Sequence, residues 1–164
     1  MKEQKLVLNK IDSFELDHIF DCGQCFRWNK MDDGSYIGVI KQGVLKVSTS
    51  KKNITFEGIL DGDINSIVYD YFDFSTDYKK YKKILSEIYT NMKKSVEFGN
   101  GIRILNQDLW EMIISFIISA NNNIPRIKGI IERISRKSWK KSFMEWKRLL
   151  FVSYFKRNEQ IKCC

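Results

Sequence analysis

The feature that most constrains this chain is a change of hydrophobic period near residue 62. Before it, short runs rich in β-branched and aromatic residues alternate with turn signals. The runs are residues 5–8, 25–29, 35–40, 44–50 and 53–59, which read as strands. The turns are Asp32-Asp33-Gly34, Gln42-Gly43 and Lys51-Lys52-Asn53. Such short gaps join strands as hairpins, so antiparallel pairing is expected. A short helix is expected at residues 16–20.

After the change the apolar residues recur at helical spacing. Ile64, Ile67, Val68 and Tyr71 form one stripe, and Tyr78, Tyr81, Ile84, Leu85 and Ile88 another. Lys79, Lys80, Lys82 and Lys83 lie among the second set and read as a solvated face. Gly99-Asn100-Gly101 is a natural break, and a boundary is expected there.

A further helix is expected over residues 109–120. Asp108 can cap it, and Glu111, three residues on, gives a box-like start. This helix is apolar nearly all round, with Leu109, Trp110, Met112, Ile113, Ile114, Phe116, Ile117 and Ile118. Such a helix is expected to be buried. Glu111, Ser115 and Ser119 make a polar, mostly small stripe where another backbone can approach. Asn121-Asn122-Asn123 stops the helix, and Pro125 suits the first turn of the next. Ile127, Ile130, Ile131 and Ile134 give that next helix an apolar face. The corner between the two presents an Asn triplet and Arg126, a pattern that a simple capping turn also explains.

Charge narrows the function classes less than it first suggests. The 164 residues carry a formal charge of +8, which invites nucleic acid or an anionic surface as partner. Yet residues 136–164 hold nine basic residues against Glu145 and Glu159, so the rest of the chain is nearly neutral. The first 17 residues have no apolar core of a secretion signal, and no stretch is long and apolar enough to span a membrane. A cytoplasmic protein is expected, associated with the nucleoid if the source is bacterial. Asp61, Asp63 and Asn65 imitate a calcium loop, but Ser66 and Phe72 stand where the turn glycine and the final carboxylate belong.

Cys22-Gly23-Gln24-Cys25 is a C-x-x-C motif. Two structural cysteines are the expected reading. Half of a zinc site is the alternative, with only His18 and the terminal Cys163 and Cys164 to complete it. A thiol redox pair is another, although a strand rather than a helix is expected to follow.

Two segments together resemble one family. Gly23-Gln24-Cys25-Phe26-Arg27-Trp28, followed by Gly34-Ser35-Tyr36-Ile37-Gly38-Val39, resembles the G-Q-S/C-F-R-W strand region of 8-oxoguanine DNA glycosylases. Leu105-Asn106-Gln107-Asp108-Leu109-Trp110-Glu111, continued by Ser119-Ala120-Asn121-Asn122-Asn123-Ile124-Pro125-Arg126-Ile127, is similar to that family's first long helix and Asn-rich corner. Leu109 replaces the proline common there. The resemblance implies an α+β fold, with a TBP-like antiparallel sheet domain over residues 1–99. The start of an all-α helix-hairpin-helix glycosylase domain would then occupy residues 100–135, with an anomalous basic tail at 136–164.

The family flips an oxidised guanine out of duplex DNA and cuts its glycosidic bond. It uses a Lys nucleophile, which also supports abasic-site cleavage through a Schiff base, together with an Asp. By residue match, Gly23 is implied as the lesion sensor, its carbonyl accepting from the protonated N7 of 8-oxoguanine. Asn121 and Arg126 are implied to fill the gap and satisfy the unpaired cytosine, as a flipped base requires. Gln24, Phe26, Arg27 and Trp28 read as structural. The implied partner is double-stranded DNA containing oxidised guanine, bound by a monomer with no cofactor and no metal.

The match to the family stops near Ser135. Beyond it there is no Gly-x-Gly hairpin and no residue matching the catalytic Lys or Asp. No catalytic residue is therefore assigned, and little or no glycosylase or lyase activity is expected. The tail reads as out-of-frame translation or a truncated gene end. Trp139, Phe143, Trp146 and Leu150 are also spaced for a basic amphipathic helix. Two alternatives stay open: a non-catalytic, poorly soluble remnant that binds damaged DNA, and a thiol or zinc protein built on Cys22 and Cys25.

Overall fold

The computed structural model describes the backbone of residues 1–138 and the side chains of residues 1–135. The expected tail helix and Cys163 and Cys164 lie outside the described residues. The elements in chain order are β1 (Lys2–Asn9), α1 (Leu16–Phe20), β2 (Trp28–Lys30), β3 (Tyr36–Ile40), β4 (Gly43–Thr49) and β5 (Asn53–Leu60). There follow α2 (Ile64–Tyr71), α3 (Tyr78–Ile88), α4 (Thr90–Phe98), α5 (Leu109–Ser119) and α6 (Ile124–Ser138). The fold is α+β, as expected.

The five strands form one antiparallel sheet in the order β1-β5-β4-β3-β2. The turn signals explain the order, because β2 to β5 are joined as consecutive hairpins. β1 closes the far side by pairing with β5, Lys2 opposite Leu60 through Asn9 opposite Asn53. β2 begins later than expected, at Trp28 rather than at residue 25. The reason is local: the Cys22 and Cys25 thiols donate to the Ile19 and Phe20 carbonyls, and the Gln24 amide donates to Ile19 as well. These bonds hold residues 22–25 against the end of α1 and keep them out of the ladder.

One face of the sheet carries the main core. Phe14, Phe20, Trp28, Tyr36, Phe56 and Phe72 are almost wholly buried there, with Leu45, Val47 and Val68. The Phe72 ring lies 5.2 Å from Phe56, 5.5 Å from Phe14 and 6.2 Å from Phe20, in tilted and edge-on arrangements that aromatic rings favour. Each such side chain contributes about 1.5–3 kcal/mol through burial alone. Gly38 has a packing role: a Cβ there would sit 2.3 Å from the Trp28 ring. Its bare backbone, directly opposite Trp28 in the β2–β3 pair, lets the indole lie against the strand.

Helix starts follow the sequence. Asp63 accepts from the Ser66 amide, which accounts for the acidic run taken up by a cap rather than a cation loop. Asp77 caps α3 through Lys80, and Asp108 caps α5 through Glu111. The solvated lysine face of α3 is corrected at one position. Lys79, Lys80 and Lys83 are exposed, but Lys82 is half-buried and donates to Ser13 Oγ and to both oxygens of Asn100.

The burial expected of the apolar helix is overturned. No residue of α5 is buried; Trp110 is 70% exposed and Phe116 80%. The half-buried positions are Glu111, Ile114, Ser115, Ile118 and Ser119, so the polar stripe faces inward with two isoleucines while Leu109, Trp110, Met112, Ile113, Phe116 and Ile117 face out. An all-apolar sequence measures how much cover a helix needs, and the described residues do not supply it.

Candidate nucleic-acid interface

The stretch between α1 and β2 is built around Gly23. Its φ of +85° lies in the left-handed region, where an L side chain is strained. A Cβ there would meet nothing within 4 Å, so the glycine is required by backbone conformation and not by crowding within the chain. Among the described residues none donates to the Gly23 carbonyl.

Gln24 fixes this turn from the next position. Its Nε2 donates to the carbonyls of Ile19 and Arg103, both at 2.8 Å. Its Oε1 accepts from the Leu105 amide, and its own carbonyl accepts from Gln107 Nε2 at 2.7 Å. One side chain thus ties the turn to α1 and to the strap of residues 101–108 that leads into α5. Arg27 adds a half-buried ion pair to Glu111 at 3.2 Å. The box-like start of α5 is therefore only half formed, because the Glu111 carboxylate goes to Arg27 instead of back to the cap. Lys41 pairs with Asp108 at 3.5 Å, a second tie at the same helix end. Trp28 Nε1 donates to the Tyr71 hydroxyl at 2.9 Å, and Lys128 of α6 donates to the Trp28 carbonyl at 2.9 Å. Gln24, Arg27 and Trp28 hold the turn in place, as expected of structural residues.

Arg103 anchors the strap from beneath. It is 4% exposed and donates to the backbone carbonyls of Ser13, Phe72 and Asp73. Its guanidinium stacks 4.9 Å from the Phe74 ring and 4.4 Å from Tyr78. Burial lowers its pKa. Ser13 and Asp73 both have positive φ, at 65° and 50°, so the arginine holds two strained backbone positions together. Nothing in the local spacing marks Arg103, because its partners lie far away in sequence.

The second candidate element is the α5–α6 corner. Asn121 has a φ of +54° and is exposed. It occupies the left-handed position after the helix end that asparagine tolerates. Arg126 is exposed in the first turn of α6. Among the described residues neither the Asn121 amide nor the Arg126 guanidinium has a partner. The Asn122 amide donates to the Ile118 carbonyl at 2.7 Å, and Asn123 Oδ1 accepts from the Arg126 backbone amide at 3.0 Å. The three candidate residues thus sit on two elements, Gly23 on the sheet-side turn and Asn121 and Arg126 on the corner. Arg27–Glu111 and Lys128–Trp28 join those elements.

Cys22 and Cys25 are both free, Cys22 exposed and Cys25 buried. Burial pushes the Cys25 thiol up to about 12, opposite to the depression that makes a reactive thiolate. Among the described residues no group of three or more His, Cys, Asp or Glu side chains gathers at a metal-sized site. Among them also no helix is long and apolar enough to cross a membrane.

With this geometry in hand, comparison with known proteins is specific. Residues 5–113 match the family described as 8-oxoguanine DNA glycosylase, N-terminal domain, and the chain belongs to that family. It superposes on the apo crystal structure of Clostridium acetobutylicum 8-oxoguanine glycosylase/lyase with a TM-score of 0.77 and 42% identity, covering 88% of this chain and 51% of that one. The structure of the same enzyme with double-stranded DNA containing cytosine opposite 8-oxoguanine gives 0.75 and 42%, covering 85% and 51%. An N-glycosylase/DNA lyase of Saccharomyces cerevisiae is 30% identical over 138 residues, 75% of this chain and 36% of its own length. The chain therefore spans about half of the solved relative and about a third of the yeast one.

Proposed function

We propose that these 164 residues carry the lesion- and cytosine-reading groups of an 8-oxoguanine base-excision repair protein. Its substrate class is double-stranded DNA carrying 8-oxoguanine opposite cytosine. The observation that carries this is the pairing of an unengaged Gly23 carbonyl, on a turn held by Gln24, with an exposed Asn121 and Arg126 at a capped corner. A carbonyl accepts from the N7–H of 8-oxoguanine and repels the N7 lone pair of guanine. An amide and a guanidinium offer the donors and acceptor that an unpaired cytosine lacks once its partner has left the stack.

None of the 164 residues matches the family's nucleophilic Lys or its Asp by motif, and on this reading these residues bind the lesion and do not themselves supply the nucleophile. A Schiff-base lysine needs a pocket that lowers its pKa. The half-buried Lys82 has a lowered pKa through burial and the nearby Arg103, but its ammonium is engaged by Ser13 and Asn100. On this reading the chain acts as a monomer, in the compartment that holds DNA.

The test is equilibrium binding of the 164-residue chain to labelled duplexes, read by fluorescence anisotropy at two salt concentrations. The expected result is tighter binding to the 8-oxoguanine:cytosine duplex than to guanine:cytosine, weakening as salt rises. Equal affinity for the two duplexes at both salts would refute lesion reading.

A further inference from the structure

We infer that Asn122 and Asn123 are positioning residues that set where Asn121 and Arg126 point, so that the triplet divides reading from aiming. The inference rests on the reading of Asn121 and Arg126 given above. Four observations carry it. Asn121 sits at φ +54°, the left-handed conformation that asparagine tolerates at a helix end, so its direction is set by the bonds of the residues beside it. The Asn122 amide bridges the carbonyls of Ile118, at 2.7 Å, and Ala120, at 3.4 Å, and so grips the chain just before Asn121. The Asn122 backbone amide also donates to the Ser119 carbonyl at 3.1 Å, which closes the end of α5 around the same residue. Asn123 Oδ1 accepts from the backbone amide of Arg126 itself, at 3.0 Å, so the cap of α6 fixes the residue whose guanidinium has no partner among the described residues.

The two aiming side chains differ in which end they use. Asn123 works as an acceptor, the usual cap chemistry. Asn122 works as a donor, and its Oδ1 is shielded from solvent with no partner among the described residues. Aspartate can therefore replace Asn123 but not Asn122, where a carboxylate would face two carbonyl oxygens. A residue that merely stabilised the corner would change affinity for every duplex alike. A residue that aims the two readers changes preference for the base opposite the lesion.

The experiment measures, for the full chain, the ratio of Kd values for 8-oxoguanine opposite adenine and opposite cytosine. In the unaltered chain cytosine is expected to be preferred by about tenfold or more. Asn121→Ala and Arg126→Ala are expected to bring the ratio close to one. Asn122→Ala, Asn122→Asp and Asn123→Ala are expected to lower it about fivefold, whereas Asn123→Asp keeps it. Thermal melting accompanies each variant. If Asn123→Ala unfolds at the assay temperature, Asn123→Ser, a shorter cap that keeps α6 folded, takes its place and is expected to show a partial loss. If Asn121→Ala and Arg126→Ala flatten the ratio while the Asn122 and Asn123 variants leave it intact, the positioning role is overturned and the reading beneath it stands. A ratio of one in the unaltered chain overturns both.

Discussion

The sheet side of this molecule and the α5–α6 hairpin are built to different degrees of completion. In the first, Trp28 is 1% exposed, packs on Phe20 at 4.2 Å and donates to Tyr71. In the second, Trp110 is 70% exposed although it stands in the most apolar stretch of the chain. The same residue type is core in one place and surface in the other. The difference teaches that the Gly23 turn does not depend on the hairpin being covered. Gln24, Arg103 and the aromatic cluster hold Gly23 from the sheet side, while the hairpin attaches through Arg27–Glu111, Lys41–Asp108 and Lys128–Trp28.

Four measurements break or sharpen that contrast. The largest effect is expected from Trp28→Ala, which should cost about 3–5 kcal/mol in urea unfolding. A cost below about 1 kcal/mol would show that the sheet core is not packed as described. Asp108→Ala comes next. It removes the cap of α5 and the partner of Lys41, and should cost about 1 kcal/mol, read as a smaller urea midpoint shift.

Asp33 gives a smaller, pH-dependent effect. Bonds from the Ser35 hydroxyl and amide, with Lys46 nearby, hold its carboxyl down to about 2, from an ordinary 3.8. A depressed folded value contributes stability above the unfolded pKa and loses it as pH falls through the folded one. The drop in melting temperature between neutral pH and pH about 2 should therefore be shallower in Asp33→Asn than in the parent. Identical slopes would remove Asp33 from the account. The smallest effect is expected from Trp110→Ala, within about 0.5 kcal/mol by urea unfolding. It should also raise solubility, because it removes an exposed apolar group. A loss comparable to Trp28→Ala would mean that α5 is buried after all.

Much of this was legible in the sequence, for local reasons. Gln42-Gly43 and Asp32-Asp33-Gly34 mark hairpins because turn chemistry acts over a few residues, and all five strands follow. Asp63 and Asp108 cap helices by contacts three residues long. Gly23, Asn121 and Arg126 were found through the family motifs, and two of the three carry the positive φ that suits their residue types. What was not legible depends on distant partners. The late start of β2 comes from bonds back to α1 and across to Leu105 and Gln107. Arg103 reads as an ordinary surface arginine, yet its acceptors are 90 residues away at Ser13 and 30 away at Asp73. The exposure of α5 is not legible either, because hydrophobicity states a demand for cover and says nothing of where the cover comes from.

The central proposal is that these 164 residues recognise the lesion without supplying the nucleophile, and borohydride trapping tests it most directly. The 164-residue chain is incubated with an 8-oxoguanine:cytosine duplex, and with an abasic duplex, in the presence of borohydride. Denaturing gels and anisotropy are read on the same samples. The account predicts lesion-selective binding, intact strands and no covalent protein–DNA adduct. A trapped adduct together with strand cleavage would contradict it, and would mean that a lysine of this chain acts as the Schiff-base nucleophile.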